Sequence, residues 1–173
     1  MKGSVSFIAL AVVLALIAVL VGCSSGTEIS YNSSPENVVI CIKETGSDQP
    51  VFELHGNGVV RVRRNPFENK VESGQLNQRQ VRQVLNHVVN KLRIGNLQSS
   101  YPKEFIPGIE MYPNMDLVLE VNTDGFEKRI TFAYSNICDE LKYFLEEGRI
   151  DRQAFEQLSR LKEVVEYLLE YKF

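Results

Sequence analysis

Tryptophan is missing from the 173 residues, and cysteine, histidine and methionine number only three, two and three. With His55 and His87 the only histidines, and no CxxC or HExxH spacing, a zinc site would require Cys41, Cys138 and both histidines to converge in space. No metal is therefore expected. A GxSxG nucleophile elbow is lacking, and so is a glycine-rich phosphate cradle inside a βαβ unit, so no cofactor and no catalytic residues are expected. An excess of positive charge is also lacking, with 19 Lys+Arg against 22 Asp+Glu and a net charge of −3. That balance excludes the basic surface with which nucleic-acid binders neutralise phosphates, so no nucleic-acid partner is expected. At 44% hydrophobic residues the chain is too apolar for a disordered one. Its length suits one domain, and it carries no internal repeat.

Long apolar runs are confined to one place. Residues 7–21 are almost unbroken in hydrophobicity, preceded by Lys2 and ended by Gly22-Cys23-Ser24-Ser25. As a helix the run reaches about 22 Å, short of the roughly 20 residues that span a bilayer core. The positive start, apolar middle and small-residue exit describe a secretory signal peptide. The stretch Leu20-Val21-Gly22-Cys23 resembles a bacterial lipobox. That resemblance implies cleavage after Gly22 and a diacylglycerol thioether on Cys23. Residues 1–22 are then a lipoprotein signal peptide. The body is moored outside the cytoplasm through a lipid at Cys23, on the cell membrane or the outer membrane, facing the periplasm or the exterior. The alternative, an uncleaved N-terminal anchor, gives the same topology. Residues 23–36, rich in Ser and Asn, read as a flexible tether.

Residues 37–173 read as a single α+β domain. Residues 38–44 (VVICIKE) form a β-branched strand, and 51–55 with 59–64 flank the hairpin signal Gly56-Asn57-Gly58. In that hairpin Phe52 and Leu54 alternate with Glu53 and His55, so one face of the sheet is apolar and the other polar. Asn77 with Gln80 forms a capping box for a helix whose stripe is Val81, Val84, Leu85, Val88 and Leu92, with Gly95 as its stop. A second hairpin turns at Asp124-Gly125, with Leu117, Leu119 and Val121 facing Ile130 and Phe132. A short helix over 139–147 ends at Gly148. Asp151 then caps a last helix striped by Phe155, Leu158, Leu161, Val165, Leu168 and Leu169. The expected architecture is an antiparallel sheet of about five strands with helices packed on one face.

Several segments taken together resemble a domain family of unknown function found in secreted and lipid-anchored bacterial proteins. They are the strand pair VFELHGNGVVRVRR, the helix segment SGQLNQRQVRQVLNHVVNKL, IGNLQSSYP, the hairpin MDLVLEV…KRITF and the final helix LSRLKEVVEYLLE. The likeness covers about 120 residues. It implies a fold and an exported habitat, and assigns no activity. The stretches over 101–113 and 135–153 are longer than that pattern.

Three features are candidates for chemistry or contact. In an oxidising compartment Cys41 and Cys138 form either a disulfide or a pair of buried thiols, and the sequence leaves both open. Arg61, Arg63 and Arg64 are the densest basic cluster, suited to pairing with Glu53, Glu120 and Glu127 across strands. The loop over 101–113 (YPKEFIPGIEMYP) combines Tyr101, Phe105, Ile109, Met111 and Tyr112 with three prolines, which suits either a partner surface or a cover over an open end of the core. The function these observations favour is a non-enzymatic binding or interaction module of the cell envelope. The alternative is an envelope enzyme or enzyme inhibitor whose site is not visible in the sequence.

Overall fold

A computed structural model of the chain describes residues 29–47, 49–109 and 115–173. Cys23, Met111 and Tyr112 lie outside the described residues. The strands are β1 (Val38–Glu44), β2 (Pro50–His55), β3 (Val59–Val62), β4 (Glu72–Gln75), β5 (Ser100–Tyr101), β6 (Asp116–Thr123) and β7 (Phe126–Ala133). The helices are α1 (Gln78–Asn86), α2 (Leu141–Glu146) and α3 (Arg152–Leu169). The strands form one seven-stranded sheet in the order β4-β3-β2-β1-β6-β7-β5. Every pairing is antiparallel except the short parallel match of β5 to β7.

The α+β class is as expected, but the sheet is larger than five strands and mixed. The two extra strands, ESGQ and SY, show no apolar alternation, because they lie at the two edges and are held by backbone pairing instead of by a buried face.

The core forms where the registers align apolar residues in rows. Val62, Phe52, Ile42, Leu119 and Ile130 stand side by side across β3, β2, β1, β6 and β7. All five are essentially inaccessible. Val81, Val84, Leu85 and Val88, together with Leu158, Leu161, Val165 and Leu168 of α3, join the same cluster, so the helices cover this face.

Local signals act as the sequence implies at both helix starts. Asn77 and Gln80 make the reciprocal capping box, and the Asp151 carboxylate accepts from the Ala154 N–H at 2.7 Å. The end of the first helix differs from expectation. After α1 the chain runs through one π-type turn at His87–Lys91, and Arg93 then adopts the left-handed conformation at φ 52°. Gly95 is not the stop. It lies within a short 3₁₀ turn, where an added Cβ would press on the Phe126 ring at 3.3 Å.

The segment expected to be tether is partly folded onto the body. Ile29 and Tyr31 pack against the core cluster. The Asp124 N–H donates to the Ser30 carbonyl at 2.9 Å, the Gly56 N–H to the Asn37 carbonyl at 2.7 Å, and the Asn37 amide to the Asn32 carbonyl at 2.8 Å. Residues 29–37 are therefore an arm laid along the end of the sheet that carries the β2–β3 and β6–β7 turns.

The chain's other end is pinned as well. Arg64 donates to Glu72 Oε2 at 2.7 Å, to the Leu169 carbonyl at 2.9 Å and to the Tyr171 carbonyl at 3.2 Å, which caps the end of α3. The Phe173 ring lies against Gly74, where a Cβ would come within 1.9 Å of it. Because this guanidinium is more than one-third exposed, Arg64→Ala is expected to cost only about 1–2 kcal/mol. The loss should be local, so hydrogen exchange should accelerate over 169–173 before the global unfolding midpoint moves appreciably.

Candidate functional site

The face of the sheet turned away from the helices carries a second row. Arg61, Glu53, Cys41, Glu120 and Arg129 lie side by side across β3, β2, β1, β6 and β7. The charges read plus, minus, thiol, minus, plus. Arg61 approaches Glu53 at 3.3 Å, Lys43 approaches Glu120 at 3.2 Å, and Arg129 pairs with the same Glu120. A wide groove of about 1050 Å³ opens over this row, with Cys41, Lys43, Glu53, Val118, Glu120 and Arg129 among its lining. Val118 is only 3% exposed and stands between its cross-strand partners Lys43 and Thr131.

The central thiol is chemically quiet. Burial, with a smaller contribution from the carboxylates of Glu53 and Glu120, pushes Cys41 up to about 11 against the opposing pull of Lys43. At pH 8 about one thiol in a thousand is then ionised. Alkylation of Cys41 by iodoacetamide, followed at peptide level by mass spectrometry, is expected to be slow at pH 8 and to rise about tenfold per pH unit toward pH 11. The same shift sets a sign for stability. The folded state holds the neutral thiol, so its contribution is complete below the unfolded thiol pKa near 9 and is lost as pH climbs through about 11.

Compared with known proteins, the chain matches no family model, no curated protein and no solved structure.

The other candidates are spread over the molecule. Cys41 and Cys138 are both free thiols. Cys41 belongs to the open face, whereas Cys138 lies in the core cluster on the helix side, and burial pushes its thiol up too. Each arginine of the basic cluster is occupied within the fold. Arg61 faces Glu53, the buried Arg63 donates from Nε to the Pro50 carbonyl at 3.2 Å, and Arg64 caps α3. Of the two histidines, His55 sits between the Pro35 carbonyl at 2.7 Å from Nδ1 and Glu53 at 3.0 Å from Nε2. His87 stacks on Tyr167 at 4.0 Å, its pKa lowered mainly by burial. Among the described residues no group of three or more His, Cys, Asp or Glu could hold a metal ion.

The described part of the aromatic-proline loop is folded inward. Tyr101 is fully buried, its hydroxyl donating to Gln157 at 2.7 Å and accepting from the Gln98 N–H at 2.8 Å. Phe105 is half-buried with its ring edge-on to Tyr101 at 5.1 Å, and Ile109 is buried. These three side chains cover an end of the core. What sequence reading did not assemble is the charged row centred on Cys41. The alternation that puts Glu53 and Arg61 on the polar face was visible, but the register that aligns five strands was not.

Proposed function

We propose that the chain is a lipid-anchored, extracytoplasmic lipoprotein whose body is a non-enzymatic binding module, with the bare face of the sheet as its contact surface. The observation that carries this reading is the second face of the seven-stranded sheet, which no described element covers and where a groove opens over the row from Glu53 to Arg129. Its charges are already paired internally, which suits a polar, hydrogen-bonding partner of low net charge better than a polyanion. The apolar leader and the Gly22-Cys23 junction support mooring through Cys23, on the cell membrane or the outer membrane.

Two measurements test the proposal. Intact mass of the mature chain is expected to report diacylglycerol on Cys23, and Cys23→Ser should move the protein from the membrane fraction to the soluble one. Recovery of partners from envelope extract is expected to fall at least about tenfold for Val118→Arg combined with Asn122→Arg, because both positions line the groove and two long cations then occupy it. Phe105→Ser should leave recovery unchanged. If the face variant recovers the same partners as the parent, the open face is not the contact surface.

A further inference from the structure

The docked arm and the anchor together constrain how the body stands on the membrane. If Cys23 carries the lipid, only six residues separate the anchor from Ile29, where the described chain meets the core, well before β1 begins at Val38. Six residues reach at most about 20 Å.

The arm is tied to one end of the sheet only. Its partners there are Asp124 in the β6–β7 turn, Gly56 in the β2–β3 turn, His55 at the end of β2, and Gln78 at the start of α1, which accepts from the Tyr31 hydroxyl. The described arm contacts thus gather at the turns of the sheet's near end. The opposite end, with the β1–β2 turn and residues 102–109, lies at the far side of strands up to eight residues long, about 25 Å away.

We propose that the arm over residues 29–37 is a latch that holds the β2–β3 and β6–β7 turns against the bilayer surface and directs the other end of the sheet away from it. This rests on the reading that Cys23 is acylated. The membrane-facing end is polar, with Asn32, Ser33, Asn57, Gln78 and Asp124, so its partner is the headgroup layer held close by the short leash, without capture by basic charge. The open face then stands on edge to the membrane, and its groove is reachable from the side.

The test uses the full acylated chain in phosphatidylcholine vesicles containing a nickel-chelating headgroup lipid. Spin labels are placed at Asn122→Cys or Asp116→Cys, each with Cys41→Ser. Both positions are exposed on the open side of β6, six residues or about 20 Å apart. Because at most about 20 Å of chain separates Cys23 from Ile29, nickel-induced relaxation is expected to be about tenfold greater at residue 122 than at 116. Ile29→Ser with Tyr31→Ser frees the arm and should bring the two values together. Equal relaxation at both sites in the acylated parent overturns the orientation while leaving the anchor intact. A gradient that survives release of the arm overturns the latch. An unmodified Cys23 in the intact mass overturns both the orientation and the lipoprotein reading.

Discussion

Asn136→Leu is expected to lower the unfolding free energy by about 3 kcal/mol, although leucine has the same branched shape and the change removes no charge. Asn136 is fully buried in the turn after β7, and its amide donates to the Tyr101 carbonyl at 2.8 Å and to the Pro102 carbonyl at 2.7 Å. Those bonds attach the 101–109 segment to the sheet, because the parallel match of β5 to β7 is only two residues long. Leucine offers no donor, so the buried Tyr101 carbonyl and the part-buried Pro102 carbonyl both lose their partner, at about 1–3 kcal/mol for the buried one and less for the other. Part of that cost is returned, since Asn136 Oδ1 is itself buried without a hydrogen-bond partner. Urea unfolding checks the magnitude, and hydrogen exchange over 98–106 checks the place. A loss below about 1 kcal/mol would mean that the segment is held by the packing of Tyr101 and Ile106 instead of by the amide.

Signals that act over three or four residues are legible in the sequence itself. The capping box at Asn77, the Asp151 cap, the Asp124-Gly125 turn and the alternation in β2, β3, β6 and β7 are each local consequences of side-chain chemistry. Features made by long-range packing were not legible. Arg93 takes a left-handed conformation that nothing in its own chemistry favours, while Gly95, the stronger stop signal, serves the close approach of Phe126. Residues 29–36 are compositionally a linker, yet Ile29 and Tyr31, the two bulky apolar residues in it, are the ones that dock. The open-face row was half legible: alternation assigns Glu53, Arg61, Glu120 and Arg129 to a polar face, but their convergence on Cys41 depends on inter-strand register, which no one strand specifies.

The glycines of the two hairpins give the second large effect, as a contrast. Gly58→Ala is expected to cost at least about 3 kcal/mol, and Gly125→Ala only about 1 kcal/mol. Both residues have positive φ, 91° and 86°, so an alanine pays a similar backbone strain at each. The surroundings decide the difference. A Cβ on Gly125 meets nothing within 4 Å, whereas one on Gly58 would lie 2.0 Å from the Leu76 carbonyl oxygen. That oxygen belongs to backbone and cannot swing away. The Gly58 carbonyl also accepts from the Leu76 N–H at 2.8 Å, so relieving the collision breaks the link between the β2–β3 turn and the end of β4. The Asn77 cap follows directly in the chain, which transmits the displacement to the start of α1. Urea unfolding of the two variants side by side measures the contrast, and equal losses would show that Leu76 does not press on the turn. Gly56, two residues earlier, has no positive φ, but a Cβ there would lie 2.0 Å from the Asn32 carbonyl. The Gly-Asn-Gly sequence thus makes two separate demands: one glycine turns the hairpin, and the other lets the N-terminal arm lie down on it.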